Sequence, residues 1–411
     1  MSTTKHIAII GYVWPEPDSS AAGQNMTNLL NLFVEAGWHV SFICAANDSI
    51  HAPELTSMGV TPYLTFINDD SFDTLISDLS PDLVIFDRFM IEEQFSWRVK
   101  RACPDAMLVL NTEDLHSLRH ARQIAVKAGS NARDAVLNND MALREVAAIL
   151  RCDITLVISR AELALLWQHY GVSRTQLLYF PLHLLDTTAK YPSFSAREGF
   201  MTIGNFRHEP NWDSVRYIRE QLWPSIRKQL PEAKCYIYGA YPAKKVTNLH
   251  NEKLGFLVKG WVNDAHEAIS QHRVMLAPLR FGAGIKGKLI SAMQTRTPSV
   301  TTWVGAEGFC ENTPWPGAIA NDPKTQIQQA ISLHQEQNLW ENAVSSTMNV
   351  LNEYTNNGTG RSALLPAIDE GLSNLKALRQ ANFNQQMLWH HTLRSTQFMG
   401  QWITAKNQVI E

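Results

Sequence analysis

Apolar residues in this chain gather in short runs, separated by stretches with one apolar face. Ile7–Gly11 is strand-sized and apolar throughout, as expected of a strand covered on both faces. A loop, 12–23, follows. From Asn25 to Ala36 the apolar positions Met26, Leu29, Leu30 and Phe33 recur at helical spacing, and Gly37 ends the pattern. Val40–Cys44, Leu83–Phe86, Met107–Leu110 and Ile154–Ile158 are further strand-sized runs, each bounded by turn residues or charges. Strands alternating with helices predict a parallel sheet with helices on both faces. Pro181 and the Thr-, Ser- and Pro-containing stretch Asp186–Gly199 read as a linker. The alternation then restarts with Phe200–Gly204, Cys235–Gly239, Val274–Pro278 and Pro298–Thr302. The expectation is an α/β protein of two Rossmann-like domains facing a cleft. From about Ala363 the pattern is helical to the end and includes the aromatic-rich stretch Phe383–Trp402. Internal repeats of about 20–50 residues are not evident.

Composition supports that division. The chain has 411 residues, enough for two or three domains at roughly 100–200 residues each. Hydrophobic residues make up 45% and charged residues 18%, a globular balance. A net charge of −3 implies no global field for a polyanion, so no nucleic-acid partner is expected. The charge is unevenly placed, however. Residues 1–185 carry 13 Lys+Arg against 21 Asp+Glu, whereas the remainder carries 23 against 18. An anionic ligand would therefore be hosted by the second half. The five cysteines, Cys44, Cys103, Cys152, Cys235 and Cys310, are scattered and form no C-x-x-C pair. A disulfide framework or zinc site is not expected, and a reducing, cytoplasmic setting fits. The apolar run after the polar N-terminus is too short for a signal peptide. No window approaches the ~18 apolar residues that span a bilayer, which leaves peripheral membrane contact at most.

The densest chemical signal is L-A-P-L-R-F-G-A-G-I-K-G-K-L-I-S-A-M-Q-T-R-T-P-S-V, residues 276–300. A strand ends at Pro278. A loop with Gly282, Gly284 and Gly287 follows, and a helix starts near Ile285 carrying Lys286 and Lys288. Glycines let backbone approach an anion, and a helix N-terminus offers unpaired N–H groups and partial positive charge. Two lysines add full charges. Together these make a diphosphate cradle. It is not a Walker A loop, because Leu289 stands where Ser or Thr is needed, and it is not G-x-G-x-x-G. The alternative is an ordinary strand-to-helix turn with solvated lysines.

This stretch resembles the donor loop and helix of family 4 (group 1) glycosyltransferases, with Ala292-Met293 and Thr297-Pro298 in register. Gly204-Asn205-Phe206-Arg207, Gly260-Trp261-Val262, Gly305-Ala306-Glu307-Gly308 and the first loop, with Pro15, Pro17 and Gly23, match as well. The resemblance covers about residues 5–340 and implies the GT-B fold. It places an acceptor domain at 1–185, a nucleotide-sugar donor domain at 186–365, and C-terminal helices, 366–411, packing back on the first domain. It implies sugar transfer from a nucleoside-diphosphate sugar, a co-substrate rather than a bound cofactor, to a saccharide, lipid-linked or other acceptor, with retention of anomeric configuration. Two family glutamates are replaced here, by Ala283 and Ser291. A serine makes one neutral hydrogen bond where the glutamate would hold the ribose hydroxyls.

By this resemblance Gly282, Ala283, Gly284, Ile285, Lys286, Lys288, Ser291, Trp261 and Glu307 bind the donor. Arg207, just past the first strand of the second half, sits where open α/β sheets bind ligands and would stabilise the leaving diphosphate with Lys286. The alternative pairs Arg207 with Glu209 or Asp213. The stretch Asn111–Arg119 follows a strand of the first half, and similar enzymes carry a contact to sugar or acceptor there. His116 is the catalytic candidate, and Asp114, Arg119, Asp18 and Gly23 are acceptor-side candidates. The alternative makes Asp114 or Thr112 a helix N-cap. There is no D-x-D triplet, so a metal-free site is expected. Two rivals share the fold: a nucleotide-sugar epimerase, and a non-catalytic binding subunit.

Overall fold

The computed structural model describes residues 4–49, 51–184, 191–356, 359–391 and 393–408; residues 186–190 of the expected linker lie outside them. The first sheet contains β1 (His6–Gly11), β2 (His39–Cys44), β3 (Val60–Leu64), β4 (Leu83–Asp87), β5 (Met107–Asn111), β6 (Ile154–Val157) and β7 (Leu177–Tyr179), all parallel. Its spatial order is β3-β2-β1-β4-β5-β6-β7. The second sheet contains β8 (Glu198–Ile203), β9 (Cys235–Tyr238), β10 (Phe256–Gly260), β11 (His272–Ala277), β12 (Ser299–Thr301) and β13 (Gly317–Ile319). Its order, β10-β9-β8-β11-β12-β13, repeats that of the first sheet. In each sheet the strand order reverses beside the first strand, between β1 and β4 and between β8 and β11. The crevice outside the carboxyl ends of those strands is where such sheets bind ligands.

The inner strands are apolar because helices cover both faces. Ile7 and Ile9 face the core that holds Leu29, Leu30 and Phe33, while Ala8 and Ile10 face the one that holds Phe72 and Phe95. Burying each such large side chain contributes about 1.5–3 kcal/mol. Four strands, β3, β7, β10 and β13, go beyond the runs expected from sequence, and each is a sheet edge. Their residues are partly exposed, so they lack the unbroken apolar signature. The first helix starts at Ala21, earlier than the apolar spacing suggested, because Ser20 caps it through the N–H of Gly23 at 3.0 Å.

After the second sheet the chain crosses back. Leu364 and Ile368 join the core of the first domain. Further along, Arg379 forms an ion pair with Asp153, and Gln385 and Trp389 both donate to the carbonyl of Arg151 at 3.0 Å. The tail is four successive helices, Leu364–Ser373, Leu375–Ala381, Phe383–His391 and Leu393–Gln408. Among the described residues, no helix is long and apolar enough to cross a membrane.

Candidate functional site

The two crevices face each other across a single cleft of about 1100 Å³, lined from both domains. On the second-domain side, β11 runs into the glycine loop, and the helix expected near Ile285 to bind the donor spans Gly287–Gln294. The N–H of Leu289 donates to the Lys286 carbonyl at 2.8 Å, which leaves the Gly287 and Lys288 N–H groups as the ones without an intrahelical partner. Lys286 donates to the carbonyl of Gly284 at 2.7 Å, and Lys288 donates to Oδ1 of Asn211 at 2.7 Å. Neither pairs directly with a carboxylate. Burial lowers Lys286 to about 8, opposed by Glu307, and lowers Lys288 to about 7. Among the described residues, Lys288 has no counter-charge acting on it, Lys286 has only the indirect pull of Glu307, Glu162 and Asp114, and an anion in the cleft would pair with both.

Arg207 lies 3.6 Å over the ring of Tyr241, facing the cleft. The carboxylates that could have neutralised it are engaged elsewhere. Asp213 is held by Arg280 and Arg216, and Glu209 lies 3.6 Å from Lys245. Trp261 is half-buried, lines the cleft, and stacks on His51 of the first domain, ring centroids 4.5 Å apart. Ser291 also reaches the cleft wall.

The first-domain side carries charges of both signs, paired with one another. Asp114 pairs with Arg119, and Nε2 of His116 lies 3.5 Å away from its carboxylate. Burial acts to raise Asp114, but Arg119 and His116 hold it well below the usual carboxylate range. His116 is pushed down to about 4 by burial and is neutral at pH 7. Neither Asp114 nor Thr112 caps the helix His116–Lys127. That role falls to Glu145, which accepts from the N–H groups of His116 and Ser117 at 2.9 Å each. Asp18 is exposed on the cleft rim. Gly23 lies in the first turn of its helix, where a Cβ would come within 2.2 Å of the Glu16 carbonyl oxygen. Its need for glycine is therefore one of chain packing.

Sequence reading passed over Asp87 and Arg88 in this wall and favoured a non-functional role for Glu113. Asp87 ends β4, and Arg88 follows it with φ +77°. Glu113, also at positive φ, accepts from Asn25 and Asn111 at 3.0 Å each. Burial, aided by Asp87, raises Glu113 to about 7. The available signal was a charged pair directly after an apolar strand, the same signal that singled out Arg207.

The donor loop meets the first domain at two points. Both carboxylate oxygens of Glu307 accept from Arg122, at 2.6 and 2.7 Å, and Arg122 also donates to the Gly282 carbonyl at 2.9 Å. Glu307 therefore faces Arg122, where the sequence pointed it at the donor. The N–H of Gly284, expected to face a diphosphate, donates to Glu162 at 2.7 Å. Ala283 packs into the apolar cluster of the first domain with Leu115 and Leu118. Ile285 packs into the second-domain cluster with Leu289. Among the described residues, no three His, Cys, Asp or Glu side chains gather as a metal site would.

Residues 197–336 match the family described as glycosyl transferases group 1. A comparison with curated proteins found no match. Among solved structures, the chain is similar to HepE of Anabaena, in complex with UDP and glucose. The TM-score is 0.67 and the identity 11%, with 89% of this chain and 100% of that one covered. A TarM mutant of S. aureus, in complex with fondaparinux, α-GlcNAc-glycerol and UDP, gives a TM-score of 0.66 at 9% identity, covering 89% and 99%. The pneumococcal O-GlcNAc transferase GtfA, in complex with UDP and GlcNAc, gives 0.55 at 17% identity, covering 73% and 60%. At such identities the likeness is one of fold.

Proposed function

We propose that this chain, a GT-B protein whose residues 197–336 form a group 1 glycosyltransferase domain, transfers a sugar from a uridine-diphosphate donor to an acceptor hydroxyl. The observation that carries the reading is the cationic wall formed by Arg207, Lys286 and Lys288 around the start of the helix, each partnered by a neutral group rather than by a carboxylate. UDP is the nucleotide present with the similar structures, and this motivates the choice of base.

In this reading the diphosphate sits against the Gly287 and Lys288 amides at the start of the helix, with the two lysines and Arg207 on its oxygens. Charge developing on the leaving phosphate meets three cations, so a divalent ion is not required. The anomeric carbon–oxygen bond breaks, and its electron pair leaves with UDP. The acceptor oxygen bonds the anomeric carbon, and its proton passes to the departing phosphate. A transfer within one face of the sugar retains configuration. His116, neutral and buried, hydrogen-bonds the transferring sugar or the acceptor without competing for the proton. Asp114, locked to Arg119, orients His116.

The test is a transfer assay with UDP-sugars and a set of hydroxyl acceptors, read as UDP release and product mass, with and without EDTA. Acceptor-dependent release that survives EDTA supports the reading. Conversion of the donor sugar to an epimer without acceptor would contradict it.

A further inference from the structure

The donor loop is held by first-domain side chains at Gly282 and at Gly284. Arg122 donates to the carbonyl of Gly282 at 2.9 Å, and Glu162 accepts from the N–H of Gly284 at 2.7 Å. The same Glu162 oxygen accepts from the N–H of Leu115 at 3.0 Å, in the loop leading to His116. Glu162 is 1% exposed and Arg122 8%. Neither lines the cleft, so neither is placed to touch a ligand there. The fit around these bonds is close. Gly284 has φ +61°, and a Cβ on it would lie 2.6 Å from the Cβ of Asp114. A Cβ on Gly308 would lie 2.4 Å from Oγ of Ser159.

A glycine loop has little packing of its own and the greatest conformational freedom to lose, so its shape must be imposed from outside. Here the template stands on the other domain. Opening the cleft removes the acceptor of Gly284 and the donor of Gly282 together, and also parts Arg122 from Glu307. We propose that Arg122 and Glu162 are positioning residues that give the donor loop its ligand-binding shape only when the two domains are closed. Through Leu115 the same carboxyl brings the His116 loop into register with the donor loop. The identity of the ligand rests on the nucleotide-sugar reading above; the clamp itself does not.

The experiment uses the full chain and two readouts: amide hydrogen exchange across 280–290, and calorimetry with UDP. In Glu162→Ala the loop should exchange about tenfold faster and UDP affinity should fall about tenfold, the scale of one lost charged or buried hydrogen bond. Glu162→Gln keeps an oxygen that accepts from the same two N–H groups and should recover both. Should Glu162→Ala fail to fold, Arg122→Ala carries the same readouts. Native-like loop exchange in the Ala variant overturns the proposal, as does a loosened loop with unchanged UDP affinity in a chain that binds UDP. If the native chain binds no UDP, the nucleotide reading falls, while faster loop exchange in Glu162→Ala still supports the clamp.

Discussion

The two walls of the cleft stand on sheets of the same strand order, yet they differ electrostatically. At the switch point of the first sheet, Asp87, Glu113 and Asp114 cluster with Arg88, His116 and Arg119, every charge close to one of opposite sign. At the switch point of the second, Arg207, Lys286 and Lys288 face the cleft with their neighbouring carboxylates drawn away to other partners. A shared scaffold places both sites, and the loops alone decide what each can hold. A wall of balanced charge suits hydroxyl groups, which need donors and acceptors together. A wall of cations without carboxylate partners suits a diphosphate.

If that contrast is functional, losing a cation from the second wall should hurt most. Arg207→Ala should lower kcat about 10²–10³-fold with donor KM moved far less, because the charge it meets develops as the phosphate leaves. An equal loss in KM alone would make Arg207 a ground-state binder. Lys286→Ala or Lys288→Ala should weaken UDP binding by about 1.5–3 kcal/mol each, measured by calorimetry. Unchanged affinity in both would remove the cradle.

Acidity sharpens the same contrast. Burial lowers Lys286 to about 8 and Lys288 to about 7. The diphosphate prefers the ammonium, which is lost as pH rises through those values. UDP binding should therefore take up protons, and its affinity should fall by about two orders of magnitude between about pH 7 and pH 9. Titrations in buffers of different ionisation enthalpy would reveal proton release if the sign were wrong. His116, already neutral at pH 7, should add no inflection near its ordinary value. The smallest effect is expected at Ser291, whose hydroxyl makes a single neutral contact at most. Ser291→Ala should weaken donor binding by about 0.5–1 kcal/mol, and Ser291→Glu should tighten it by restoring a carboxylate for the ribose. Identical affinities in the three chains would mean that Ser291 does not reach the ribose.

Legibility in the sequence divided along physical lines. The inner strands β1, β2, β4, β5, β6, β8, β9, β11 and β12 were readable because burial on both faces leaves apolar runs such as Ile7–Ile10. The edge strand Val60–Leu64 was not, because its Thr61 and Tyr63 are half-buried and its Pro62 and Leu64 are exposed. The glycine loop and Arg207 were visible as local chemistry next to a strand end. Arg122 and Glu162 were not, because each reads as an ordinary helix residue. Only the approach of the second domain gives one a carbonyl 160 positions away and the other an amide 122 positions away. The same approach explains Glu307, whose motif was legible but whose partner was not.

The central claim is that the nucleotide lies on the second wall. Hydrogen exchange of the full chain with and without saturating UDP tests it directly. Protection should concentrate at 282–290 and 204–208. Protection confined to 87–88 and 111–116, or none anywhere at saturating UDP, would contradict the account.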